Sequence, residues 1–254
     1  MGKIYFASDF HLGAQGLLSS QERERVVVRW LDKVSGDAEA IYLVGDLFDF
    51  WFEYKKVVPK GYVRLLGKMA ELVDKGIMIY VFTGNHDLWM ADYLTEEMNI
   101  PVFRKSIQVD IKGKKFMIGH GDGLGPGDLG YKRMKRVFTS PFAWFLFRWI
   151  HPDIGIRIAN YFSKKSRDAQ LEIQRYLGDK NEWLIQYVEK KNLEEERDYY
   201  IFGHRHLPID YRLQNGKSRY INLGDWVRFQ TYGVFDGNQM ELKYFEIENG
   251  KIYP

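Results

Sequence analysis

The 254-residue chain contains no cysteine. A disulfide framework and a thiolate metal site are both excluded, so any metal must be held by oxygen and imidazole. No apolar run approaches the ~20 residues needed to cross a bilayer. The opening MGKIYFASDFH is broken by Asp9 and His11 and reads as a first strand rather than a signal segment, which makes the cytoplasm the expected compartment. Internal repeats, low-complexity tracts and linker-like stretches are also missing. Histidine is scarce at six residues, so the places where it falls carry information.

What is present fits a soluble globular chain, with 45% hydrophobic, 28% charged and 16% aromatic residues. The net charge of +3 is unevenly spread. Between Asp128 and Arg167 nine basic residues face two acidic ones, a local +7 that leaves the rest of the chain at −4. Such a field implies an anionic partner: phosphate, nucleic acid or an acidic membrane surface. Buried-strand patterns at Lys3 to Ala7, Ala40 to Val44, Ile77 to Phe82, Lys115 to Gly119 and Tyr199 to Phe202 alternate with helical ones at Gln21 to Lys33, Val63 to Lys75 and Asn181 to Lys191. That alternation is an α/β signature. From Ile209 to Ile247 the pattern changes to short strands separated by Asn-Gly and Asp-Gly turns, which predicts a meander of hairpins. Residues 125–178 lack strand signals and are helical, basic and aromatic. They read as a helical cap inserted into a single domain spanning 1–254.

Five short blocks terminate predicted strands: Asp9-Phe10-His11, Gly45-Asp46-Leu47-Phe48-Asp49, Gly84-Asn85-His86-Asp87, Gly119-His120-Gly121-Asp122 and Gly203-His204-Arg205-His206. Five of the six histidines lie inside them. A strand end followed by a tight turn holds a side chain rigidly, and several such ends can converge on one point. Two divalent ions roughly 3.5–4 Å apart need a shared anionic ligand, a role that suits a carboxylate such as Asp46. Asp-x-His and His-x-His put alternate side chains on one side of an extended segment. Mixed nitrogen and oxygen donors favour Mn²⁺, Fe²⁺ or Zn²⁺ over Mg²⁺ or Ca²⁺. Any one block alone is weak evidence, since Asp and Asn after Gly are ordinary turn formers. All five in order, each after an apolar strand, form a strong signal.

Together the blocks resemble the motif set of the calcineurin-like metallophosphoesterases. The resemblance implies a four-layer α-β-β-α sandwich of two mixed sheets and two bound cations, with manganese expected. It further implies that Asp9, His11, Asp46 and His206 hold one ion and that Asp46, Asn85, His120 and His204 hold the other. Water activated between them would attack phosphorus in line, without a phosphoenzyme. His86 follows the Asn85 ligand and would face the leaving group. Asp49 is its expected partner, its carboxylate orienting the ring and favouring the imidazolium. The other reading is that His86 and Asp49 only brace their loops.

The cap bears on substrate. Phe142, Phe145, Leu146, Trp149 and Ile150 form one helical stripe, while Trp144 and Phe147 place rings on other faces. A helix apolar nearly all round is either buried in the core or in contact with lipid, and flanking Lys and Arg favour a docking or acyl-chain-binding element. The whole chain is similar to the UDP-2,3-diacylglucosamine pyrophosphatases of the lipid A pathway. That likeness rests on His120-Gly-Asp followed by Asp128-Leu-Gly-Tyr131, the basic stretch Lys132 to Arg136, and Arg157-Ile-Ala running on to Ser166-Arg-Asp-Ala-Gln170. It implies release of UMP from a nucleotide-linked glycolipid at the inner face of the inner membrane, with no nucleic acid partner. Asn85, His86, Asp128, Tyr131, Arg157, Ser166, Arg167, Gln170 and His204 would contact substrate. The chain departs from that family in one respect. Those enzymes typically carry Arg and Glu where this chain has His86 and Asp49, which leaves open a relative acting on another lipid-linked or nucleotide phosphoester. A nuclease would also use basic and aromatic residues and predicts salt-sensitive binding. An inert scaffold would need a lost ligand, and all seven are present.

Overall fold

A computed structural model of the chain describes residues 2–126, 129–171, 175–247 and 250–253; the side chains of 160 and 164–171 lie outside that description. The first sheet joins β1 (Lys3–Ala7), β2 (Ala38–Val44), β3 (Met78–Phe82) and the short β4 (Val102–Phe103) in parallel. Its other edge is completed by β10 (Thr231–Phe235), antiparallel to β1, and β11 (Met240–Tyr244). The second sheet runs β5 (Ile107–Ile111), β6 (Lys114–Gly119), β7 (Tyr199–Phe202), β9 (Arg219–Leu223) and β8 (Pro208–Arg212), with β6, β7 and β9 parallel.

Both faces of the central strands are buried, which is why they read as continuous apolar runs. Ile4, Phe6, Tyr42, Phe116, Ile118 and Ile201 point between the sheets. Tyr5, Ala7, Ile41 and Leu43 point outward against α1 (Ser20–Val34) and α2 (Val63–Asp74). On the far side Tyr200, Phe202 and Tyr220 pack on Leu184, Ile185 and Val188 of α7 (Trp183–Glu194). The result is the α-β-β-α sandwich that the blocks imply. Helix α1 starts at a capping box, Ser19 with Glu22, worth about 1 kcal/mol. Helix α2 has no side-chain cap of its own, and Glu24 of α1 instead accepts from the amides of Arg64 and Leu65.

The C-terminal hairpins differ from the expected meander. Strands β8 and β9 form one hairpin and β10 and β11 another, but they belong to different sheets. Segment 224–230 carries the chain from one sheet to the other, so each hairpin finishes the edge of a different layer. Two short elements lack a clear sequence pattern: α3 (Tyr93–Met98) and β4, the latter only two residues long.

Residues 125–178 contain α4 (Leu129–Phe138), α5 (Pro141–Arg148) and α6 (Pro152–Leu171). The stripe of α5 that the periodicity singles out is the outer one: Phe142, Phe145, Leu146 and Trp149 are exposed. Trp144 and Phe147 turn inward instead, with Phe147 4.5 Å from Phe52 and 5.6 Å from Trp89 between ring centroids. Among the described residues no helix is long and apolar enough to cross a membrane.

Candidate metal centre

Strands β1, β2 and β3 run parallel, as do β6 and β7, so their carboxyl ends lie on one edge of each sheet. Ligands of open α/β sheets gather at such edges. The loops leaving these strands bring ligand atoms of Asp9, His11, Asp46 and His206 within 4.8 Å of one another. A second group within the same limit consists of Asp46, His120 and His204. The two groups share Asp46.

The loops are shaped for this purpose. Asp9, His11, Asp46, His204 and His206 all have positive φ, between 44° and 65°. Non-glycine residues avoid that region at a cost of about 1–3 kcal/mol each, and such strain clusters at functional sites. The flanking glycines leave room for the ligands. A Cβ on Gly84 would lie 2.6 Å from the Asp46 carboxyl carbon, and one on Gly203 would lie 2.5 Å from Asp9 Oδ2.

Four of the donors are anchored at one end and turned to the cluster at the other. Asp9 Oδ2 accepts from the His204 amide at 3.0 Å, and Asp46 Oδ1 accepts from the His86 amide at 2.8 Å. His120 Nδ1 donates to the Val44 carbonyl at 2.9 Å, which turns Nε2 to within 3.2 Å of Asp46 Oδ2. His206 Nδ1 sits 3.4 Å from Asp225, turning Nε2 to within 3.2 Å of Asp9 Oδ1. Asp9 Oδ1, Asp46 Oδ2, Asn85 Oδ1, His120 Nε2 and His204 Nδ1 are all buried without a hydrogen-bond partner. Unsatisfied buried acceptors are costly, and several converging on two points fit a pair of cations. His11 Nε2 lies 3.3 Å from His206 Nε2, a contact that a cation between two lone pairs would relieve.

The electrostatics agree. Burial alone would raise the Asp46 carboxyl, but His120, His86 and His11 hold it well below the usual range. Burial opposes charge on His11, yet Asp49, Asp9 and Asp46 push it up to about 10. Against the same penalty His120 is pushed up to about 10, chiefly by Asp46. Burial and the repulsion of His120 lower His204 to about 4, leaving it neutral. The pocket's own field draws in positive charge, and cation uptake competes with protons on these rings.

The remaining sequence-derived positions fall into three sets. His86 and Asp49 adjoin the cluster, but they meet differently from the expectation. His86 Nδ1 lies 3.1 Å from the Asp49 backbone carbonyl and 2.8 Å from Ser163 Oγ, whereas the Asp49 carboxylate stands 3.6 Å from both His86 and His11. Burial, the strongest influence on His86, lowers its pKa, so the ring is not held charged by Asp49. The Asp49 main chain, rather than its carboxylate, comes nearest the ring nitrogen. Tyr131 donates to Asp122, which also pairs with Lys135, and Arg157 lines a cleft of about 510 Å³ with Asp49 and Tyr62. Asp128 and the side chains of Ser166, Arg167 and Gln170 lie outside the described residues.

Sequence reasoning missed Ser163, Asp122 and Asp225 as participants. Asp122 stands in a quoted block but had no chemistry of its own to flag it. Asp225 follows Gly224 at the end of β9, the Gly-Asp signature of the second block, and that signal could have found it. It is fully buried, and His206 and Arg228 hold its carboxyl down to about 2 against the penalty of burial. Arg228 clamps it from the far side and also donates to the His206 carbonyl. Partners that orient ligand imidazoles typically matter 10–100-fold for metal affinity. Asp225→Ala is therefore expected to weaken binding of one Mn²⁺ by about that factor in calorimetric titration while the far-ultraviolet spectrum is unchanged. Wild-type affinity in the variant would exclude an orienting role.

The site and fold define a metal-dependent hydrolase of phosphoesters, and the chain belongs to the calcineurin-like phosphoesterase family, whose profile matches residues 2–222. Among its relatives, a UDP-2,3-diacylglucosamine hydrolase from Porphyromonas gingivalis is 41% identical over 258 residues, covering 96% of this chain and 98% of that one. Another protein of that name, from Actinobacillus succinogenes, is 28% identical over 248 residues, covering 96% and 99%.

Proposed function

We propose that the chain hydrolyses the pyrophosphate bond of UDP-2,3-diacylglucosamine, giving UMP and 2,3-diacylglucosamine 1-phosphate. The observation that carries this reading is the pair of ligand groups joined at Asp46, with Tyr131 of α4 and Ser163 of α6 reaching Asp122 and His86 beside them, in a chain that the Porphyromonas gingivalis relative matches almost end to end. Asp9, His11, Asp46 and His206 would hold one divalent cation, and Asp46, Asn85, His120 and His204 the other, with Mn²⁺ favoured over Fe²⁺ or Zn²⁺. Bound there, the two ions supply an activated water and neutralise charge on the phosphoryl oxygens.

The chain's own residues do the rest. Asp46 offsets the repulsion between the cations. His86, with Nδ1 turned to the Asp49 carbonyl and Ser163, presents Nε2 to the site. The negative charge of an arriving pyrophosphate raises the proton affinity of that nitrogen, so the ring meets the departing phosphate as an imidazolium. Residues 125–178 act as the cap, with Tyr131, Arg157 and the basic residues around them toward the sugar phosphate. The exposed Phe142, Phe145 and Trp149, flanked by Lys and Arg, support acyl-chain binding and peripheral association with an anionic membrane on its cytoplasmic face.

Turnover of UDP-2,3-diacylglucosamine, bis-p-nitrophenyl phosphate and a nucleotide panel, each with Mn²⁺, tests this. Preferred cleavage of the glycolipid, with UMP as product, is expected. Efficient cleavage of the simple diester with none of the glycolipid removes the substrate assignment and leaves the metal chemistry standing.

A further inference from the structure

Two clefts adjoin opposite ends of the metal cluster. One, about 510 Å³, reaches it at Asp49 and is walled by Ile156 and Arg157 of α6, whose neighbours Ile154, Ile158, Tyr161 and Phe162 are exposed. The other, about 730 Å³, reaches it at His120 and Asp122 and runs between the β4–β5 edge and α7, with Lys135 of α4 and Thr139 also on its wall. Arg104, Lys105 and Gln108 line the second cleft and are exposed. Its inner wall is aromatic, formed by Phe103 tilted against Phe82 with ring centroids 5.1 Å apart. Beyond His120 and Lys135, its lining has no role in the proposed reaction so far.

We infer that this cleft is the nucleotide subsite, holding the uridine half of the substrate while the glycolipid half leaves the cluster along α6. The inference rests on the proposed reading of the substrate. A cleft of this volume falls in the range of small-molecule sites, which combine apolar walls with a few convergent polar groups. An aromatic face suits a pyrimidine ring, since every base offers a π-face for stacking. Gln108 carries a carbonyl acceptor and an amide donor on one side chain, the complement of the adjacent imide N–H and carbonyl of uracil. Thr83 and Ser106 add hydroxyls to the lining. At the end of α7, Glu194 and the following Glu195 offer acceptors to a ribose diol, while Lys105 and Arg104 complement the charge of the α-phosphate. The cleft along α6 offers instead Phe50, Ile156 and the exposed apolar side chains of that helix, surroundings that suit acyl chains.

The test uses the full-length, manganese-loaded protein, with UMP and CMP as competitive inhibitors of UDP-2,3-diacylglucosamine hydrolysis. Lys105→Glu is expected to raise the inhibition constant of UMP and the KM of the substrate about tenfold, by placing like charge beside the phosphate. Gln108→Ala is expected to abolish a preference for UMP over CMP, a readout that loosened packing alone would not move. Lys217→Glu, an exposed charge reversal in the β8–β9 turn, serves as the control and should leave UMP binding as it is. UMP that fails to bind the wild-type enzyme, or that binds both cleft variants as tightly and with the same base preference, overturns the subsite. Failure of the wild type to turn over UDP-2,3-diacylglucosamine at all is a different result: it removes the substrate reading, and the subsite with it.

Discussion

Asp46→Asn is expected to cost at least about a thousandfold in turnover, on the order of 4 kcal/mol of barrier, and to empty both metal positions together. Asp46 belongs to both ligand groups, so its loss cannot be confined to one ion. Its Oδ1 is occupied by the His86 amide, and Oδ2 alone faces the cluster, 3.2 Å from His120 Nε2 and 3.7 Å from His11 Nε2. In Asn the acceptor that keeps the His86 contact leaves an amide N–H₂ pointing at the cations, which repels where the carboxylate attracts. Asn is also the clean substitution, because it tolerates the left-handed φ of 53° at this position better than Ala. The fold should survive, since Asn has the shape of Asp and its side-chain oxygen keeps the contact to the His86 amide. Metal analysis by mass spectrometry and a thermal melt decide the matter. Two ions retained per chain, or turnover within about tenfold of wild type, would show that Asp46 does not bridge.

Much of this arrangement was legible from the sequence, for physical reasons. Strands buried on both faces must be apolar throughout, so Lys3 to Ala7 and Tyr199 to Phe202 stood out, and the polar residues after them could only lie at strand ends. The family resemblance carried by those blocks then implied two sheets and a split ligand set, and Asp46 does fall in both groups. Other features left no trace in the pattern. Backbone strain at Asp9 or His204 is invisible because non-glycine residues give no warning of positive φ. Ser163 reaches His86 across 77 positions of sequence from a helix with no motif of its own. The stripe of α5 was found but its direction was not, since a helix with apolar residues on two faces does not declare which one meets the body. Phe147 settles the direction by packing on Phe52 and Trp89, two rings from separate loops. The two C-terminal hairpins likewise look alike in sequence, and only the partners β1 and β7 distinguish them.

His86→Ala should leave metal content intact and lower kcat by about 10²–10⁴, the usual span for a general acid or its electrostatic equivalent. The metal survives because the contact His86 makes to Asp46 uses its backbone amide, which Ala retains. What disappears is Nε2, buried without a partner and held in place from behind by Ser163 and the Asp49 carbonyl. The size of the loss should depend on the leaving group. A p-nitrophenolate departs with little help, a phosphate needs its growing charge stabilised, and an alkoxide needs a proton. Rates for the variant should therefore fall least on bis-p-nitrophenyl phosphate and most on a diester with an alkyl leaving group. His86→Gln separates orientation from charge, since an amide can hydrogen-bond but cannot become a cation; it should behave like Ala on the poorest leaving group. Ser163→Ala removes one of the two contacts behind the ring while sparing the ring itself, and a smaller loss with the same order of substrates is expected. A loss equal for all leaving groups, accompanied by falling metal content, would instead make His86 a brace between the loops after β2 and β3.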